Sequence, residues 1–144
     1  MHKMNYISFD YGTKNIGVAI GQKITNTGNI LDSIKSKNKN INWKKIEKII
    51  KLWNPKSIII GLPLNMDGTE QKFTKQTKNF ANKVSKKFNI KVHMHDERLS
   101  TVEAKSILFK KGFKNLTKNK INSTSALIIL ESWFLKKSFI KKSI

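Results

Sequence analysis

At 144 residues the chain suffices for one domain with a real core but not for two lobes, and the absence of cysteine excludes a disulfide framework or a thiolate metal site. No apolar run approaches the roughly 18 residues that cross a bilayer, so a soluble, cytoplasmic protein is expected. The net charge of +20 points to a polyanion, although Arg98 is the only arginine and the abundant Lys, Asn and Ile share A/T-rich codons, so mutational bias also enters the charge. A surface this basic binds RNA or DNA through counterion release, without sequence preference.

Residues 5–9 alternate as a strand, and Ile16, Val18 and Ile20 repeat the pattern on one face of a second. Between them Asp10-Tyr11-Gly12-Thr13 forms the tip of a hairpin. A third strand is expected over about 26–36, with Asn26-Thr27-Gly28-Asn29 as its turn, completing an antiparallel meander. The run 35–42 is polar, basic and aperiodic, hence a loop. From Trp43 the period becomes helical, with Trp43, Ile46, Ile49, Ile50 and Trp53 on one stripe, and Asn54-Pro55 ends it.

Ser57-Ile58-Ile59-Ile60-Gly61 is short, continuously apolar and β-branched, as in a strand buried on both faces, so the sheet turns parallel. After the loop 62–69, Glu70 opens a helix carried by Phe73, Thr77, Phe80, Val84 and Phe88. Ile90 to His95 is the fifth strand. Ser100-Thr101-Val102-Glu103 matches a capping box for a helix reaching Lys111, which makes Glu103 a backbone partner and not a catalyst. Residues 112–120 read as a basic linker, and the last helix, about 122–137, turns Ala126, Leu127, Leu130 and Phe134 to the core. The result is an α/β fold: a mixed five-stranded sheet flanked by helices, as a single domain over 1–138 with a basic tail at 139–144.

In this topology the ends of the first and fifth strands share one sheet edge, where α/β folds place their sites. Asp10 and one or both of Asp96 and Glu97 converge there. Hard divalent cations take such oxygen ligands, magnesium with one or two carboxylates plus water and phosphate oxygens. The pair therefore fits metal-assisted phosphodiester cleavage, with Arg98 and nearby lysines on the scissile phosphate. A local strand-end ion pair is the plain alternative for Asp96-Glu97-Arg98. His93 and His95 are ligands or a general base, or simply half-exposed strand residues. Thr69 and the backbone amides of 62–69 hold a nucleic-acid backbone, or form an ordinary Asp-Gly turn. Lys110, Lys111, Lys114, Lys118 and Lys120 around Phe113 make a flexible clamp or a solvated run.

Four stretches, Phe-Asp-Tyr-Gly-Thr-Lys-Asn-Ile-Gly-Val-Ala at 9–19, Ile-Gly-Leu-Pro-Leu-Asn-Met-Asp-Gly-Thr-Glu at 60–70, Asp-Glu-Arg-Leu-Ser-Thr-Val-Glu-Ala at 96–104 and Ser-Ala-Leu-Ile-Ile-Leu-Glu-Ser-Trp-Phe at 125–134, resemble the YqgF family. This family, also called RuvX, is that of the bacterial pre-16S rRNA nucleases or Holliday junction resolvases. The resemblance implies an RNase H-like (RuvC-like) fold and maturation of the 5′ end of small-subunit rRNA with Mg2+ or Mn2+. It implies Asp10, Glu97, Asp96 and Asn122 as catalytic positions and Asp10, Glu97 and Asn122 as metal ligands. Asn122 stands where members usually carry Asp in a Lys-x-Asp-Ser context, and an amide oxygen coordinates without adding charge. Lys14, Thr69, Arg98, Lys114, Lys118 and Lys120 are the expected nucleic-acid contacts. The partner is an rRNA precursor or ribosomal particle, with branched DNA as the alternative; no membrane is involved, and the chain is a monomer or weak homodimer.

Two further readings are a catalytically weakened RNA- or ribosome-binding module, suggested by Asn122, and an ATPase of the actin-like type, suggested by Asp-x-Gly-Thr in the hairpin. The latter needs two such domains around ATP, and this length provides one.

Overall fold

The computed structural model describes residues 4–25, 27–96 and 118–142. The alternating N-terminal pattern forms β1 (Asn5–Asp10), β2 (Asn15–Gln22) and β3 (Thr27–Lys35), an antiparallel meander with Asp10 opposite Gly17 and Asn15 opposite Lys35. The helical stripe forms α1 (Trp43–Trp53), opened by the Asn42 side chain accepting from the Lys45 amide and closed by Asn54 in the left-handed region at φ 44°. The β-branched run is β4 (Ser57–Leu62), parallel to β1, and after α2 (Lys72–Phe88) the chain returns as β5 (Lys91–Asp96), parallel to β4. The sheet order is β3-β2-β1-β4-β5, with β1 at the centre. A short α3 (Lys118–Ile121) leads through Asn122-Ser123 into α4 (Thr124–Lys142).

Strand alternation divides the core into two layers. Ile7, Phe9, Ile16, Val18, Ile34, Ile58 and Ile60 pack with Ile46 of α1 and Phe80, Ala81 and Val84 of α2. On the other face Tyr6, Ala19 and Ile59 pack with Ala126, Leu127, Leu130, Trp133 and Phe134 of α4. Each fully buried side chain of this size contributes about 1.5–3 kcal/mol. Along β1 the rule is simple: Ile7 and Phe9 face α1 and α2, while Tyr6 and Ser8 face α4, with Ser8 Oγ donating to the Ala126 carbonyl at 2.6 Å. Asp10 continues the second series.

Several expected boundaries move. Asn26 lies outside the described residues, but Thr27, Gly28 and Asn29 belong to β3, not to a turn, which falls at 23–25. Gly28 serves the helix instead: a Cβ there would come within 2.6 Å of Leu127 Cδ1. Glu70 forms a bridge with Leu64, so α2 starts at Lys72 and not at Glu70. Residues 118–120, assigned to a linker, are helical, and the last helix begins at Thr124 and continues through Lys142. The capping box at Ser100 and Glu103 lies outside the described residues.

Candidate active site

Asp10 ends the central strand on the α4 face, half-buried. Its cross-strand neighbour is Gly17, and over Gly17 passes the turn that opens α4. A Cβ built on Gly17 would lie 2.7 Å from the Asn122 carbonyl oxygen, 3.2 Å from Ser123 Cα and 3.4 Å from Asp10 Cβ. Asp10 and Asn122 thus border the same hydrogen-sized gap. The turn is held down by hydrogen bonds: Ser123, fully buried, accepts from the Val18 amide at 2.9 Å, and its own amide donates to the Lys120 carbonyl. The Val18 bond sits where the β2–β3 register shifts, between Ile16 and Val18. Losing a buried partner of this kind costs about 1–3 kcal/mol.

Asp96 ends β5 opposite Leu62, on the same edge of the sheet as Asp10 but two strands away, about 10 Å. Alternation places it with Val92 and Met94, which pack on the α1–α2 side, whereas His93 and His95 contact α4. The two aspartates share an edge and not a face. Glu97 and Arg98 lie outside the described residues, as do Lys114 and the side chain of Lys118.

His93 rests against Trp133 with ring centroids 5.2 Å apart, and His95 Nε2 lies 2.9 Å from Ser132 Oγ. Burial lowers the pKa of His93, with Lys91 and Lys137 adding to the effect; burial also lowers that of His95, helped by Lys136 and opposed by Asp96. Both histidines are therefore held toward the neutral form.

Thr69 takes its place in a self-contained loop. Its amide and hydroxyl both donate to Asp67 Oδ1, at 3.0 and 2.6 Å, and its hydroxyl accepts from Asn65 Nδ2. Thr74 Oγ1 accepts from the Gln71 amide and donates to the Pro63 carbonyl, fixing the start of α2 beside the loop. Lys120 is exposed on α3. Lys14 lines a cleft of ≈ 260 Å³ together with Asn15, Lys35, Ser36, Asn119 and Asn122.

Among the described residues no group of three or more His, Asp or Glu side chains is placed to hold a metal. Across the Gly17 gap Asp10 nevertheless lies near the Asn122 backbone carbonyl, and carboxylate and carbonyl oxygens are the hard donors that a magnesium-type ion takes while completing its shell with water and phosphate. Sequence reasoning gave no role to Gly17, Ser123, Lys35 or Asn119. Gly17 lies within the first motif, where a glycine inside a strand signals close backbone approach. The others depend on contacts between segments far apart in the chain.

Residues 4–136 match the family model described as RuvX: Holliday junction resolvase. A protein of Buchnera aphidicola subsp. Baizongia pistaciae named "Putative pre-16S rRNA nuclease" is 57% identical over 133 residues, covering 92% of this chain and 97% of the relative. One of the same name from Cronobacter sakazakii is 54% identical over 129 residues, 89% and 94% of the two chains. Among solved structures, RuvC of Thermus thermophilus bound to a Holliday junction superposes with a TM-score of 0.61 at 10% identity, over 94% of this chain and 96% of that one. At that identity the likeness is one of fold, and the fold is the RNase H-like, RuvC-like one.

Proposed function

The chain belongs to the RuvX, Holliday junction resolvase, family of nucleases, and we propose that it is a divalent-metal-dependent phosphodiesterase that trims the 5′ end of the pre-16S ribosomal RNA. The observation carrying this reading is Asp10 at the end of the central strand, next to Asn122 beneath a clamped helix start. Relatives at 54–57% identity named for the pre-16S substrate support the choice of RNA.

Asp10, with Glu97 and Asn122, would hold the ion, and Asp96, facing away from Asp10, ranks behind Glu97. A bound divalent cation supplies an activated water and neutralises charge on the scissile phosphate. The chain itself contributes position. The Ser8 hydrogen bond to Ala126 ties α4 to β1 and the Ser123 bond ties the start of α4 to β2, so Asp10 meets the substrate without reorganising. Lys14, Lys120, Arg98, Lys114 and Lys118 bind phosphates of the flanking strand, while Thr69, already engaged by Asp67 and Asn65, shapes its loop beside them. No helix of the described residues is long and apolar enough to cross a membrane. The reading places the protein in the cytoplasm with the rRNA precursor or ribosomal particle, as a monomer or weak homodimer.

The test gives one preparation two substrates side by side, a 5′-extended 16S precursor and a four-way DNA junction. Cleavage of the precursor with an intact junction is expected. Paired symmetric nicks in the junction with an uncut precursor would turn the assignment to branched DNA, and binding of RNA without cleavage of either would leave a binding module.

A further inference from the structure

We propose that the cleft between the β2–β3 ends and α3 is a backbone-phosphate subsite that holds the nucleic-acid strand beyond the scissile bond. The inference rests on the nucleic-acid reading above and extends it from Lys14 and Asn122 to Asn15, Lys35, Ser36 and Asn119, which that reading does not use. Lys14, Asn15, Lys35, Ser36, Asn119 and Asn122 line the cleft. This lining has two cations, three side-chain amides and a hydroxyl, and it contains no carboxylate and no aromatic ring. Such a set favours an anion with several acceptor oxygens and offers no platform on which a base would stack.

The construction is specific. Asn15 and Lys35 are directly opposed in the β2–β3 ladder, and the Ser36 amide donates to the Lys14 carbonyl at 2.9 Å, fastening the hairpin base to the end of β3. Asn15 precedes Gly17 by two residues, so the two lie on one face of β2, about 7 Å apart. That step leads from Asp10, opposite Gly17, into the cleft, and Asn122 belongs to both places. Among the described residues the salt bridges are Lys51–Glu47 and Lys78–Glu70, and neither involves Lys14 or Lys35. Both cations can therefore serve a ligand. A strand leaving the Asp10 site along β2 meets this cleft after one or two nucleotides.

Binding of the 5′-extended precursor, and of adenosine and uridine homopolymers, is measured in EDTA over a series of salt concentrations for wild type, Lys35→Glu and a control, Lys48→Glu, on the exposed side of α1. Lys35→Glu is expected to weaken binding about tenfold at low salt and to reduce the salt slope by about one, equally for all three RNAs. The control is expected to change both far less. A Lys35→Glu effect no larger than the control, or one confined to a single base, would overturn the subsite. Circular dichroism and thermal melting of each variant separate lost binding from lost folding. Because these measurements exclude cleavage, a wild type that binds through Lys35 and never cuts would remove the nuclease reading and keep the cleft, while a wild type that cuts but ignores Lys35 would do the reverse.

Discussion

Asp10→Asn is expected to lower precursor cleavage by about 10³-fold or more while RNA binding holds. That factor equals about 4 kcal/mol of barrier, in the range of the several kcal/mol that an ion's charge stabilisation supplies. The substitution conserves shape and removes the anionic charge that a hard cation requires. Asp10 is half-buried at the end of its strand, and its neighbours Ile7 and Phe9 carry the packing on the opposite face, so β1 forms unchanged. Removing one negative charge from a protein of net charge +20 does not weaken attraction to RNA. Single-turnover cleavage with saturating protein separates the chemical step from binding. Retained cleavage in Asp10→Asn would remove this residue from the chemistry.

Gly17→Ala acts on the same place through sterics. The new Cβ would meet the Asn122 carbonyl oxygen at 2.7 Å and Ser123 Cα at 3.2 Å, and both are backbone atoms that cannot rotate away. Relief requires the start of α4 to lift from β2, which strains the bond between Ser123 Oγ and the Val18 amide. Overpacking of this kind costs about 1–3 kcal/mol, and with the weakened buried hydrogen bond the sum reaches about 2–4 kcal/mol. Urea denaturation reads the loss. Cleavage below the denaturation midpoint is expected to fall at least about tenfold further than the folded fraction explains, because displacement on the order of 1 Å at a reacting centre is costly. A variant as stable and active as wild type would show that the helix start has no bearing on Asp10.

The elements that carry their own pattern were readable from the sequence. Alternation gave β1 and β2, the change to a helical stripe at Trp43 gave α1, and the unbroken Ile58-Ile59-Ile60 run implied a strand covered on both sides, as the division of these residues between the two core layers bears out. Turn chemistry misled at Thr27 to Asn29: Gly28 has the composition of a turn, but its lack of a side chain is used by Leu127 across the sheet. The four residues of α3 are too few to display a period. Within the site, Asp10 stood out as an acid at the end of a buried strand. Its approach to Asn122 through Gly17, and the cleft made by Asn15, Lys35 and Asn119, arise from strand pairing and helix docking, which single-segment patterns do not encode. The parity that separates Asp96 from Asp10 follows from register and became visible only once β5 was paired with β4.

The most direct measurement is the rate of precursor cleavage by wild-type protein across magnesium and manganese concentrations and in EDTA, beside Asn122→Asp. No cleavage is expected in EDTA, with saturable activation by the ion and a half-saturating concentration about tenfold lower in Asn122→Asp, the effect of roughly 1.4 kcal/mol from one added carboxylate charge near the ion. Cleavage that persists undiminished in EDTA, or a metal requirement that Asn122→Asp leaves unmoved, would contradict a metal-dependent centre built on Asp10 and Asn122.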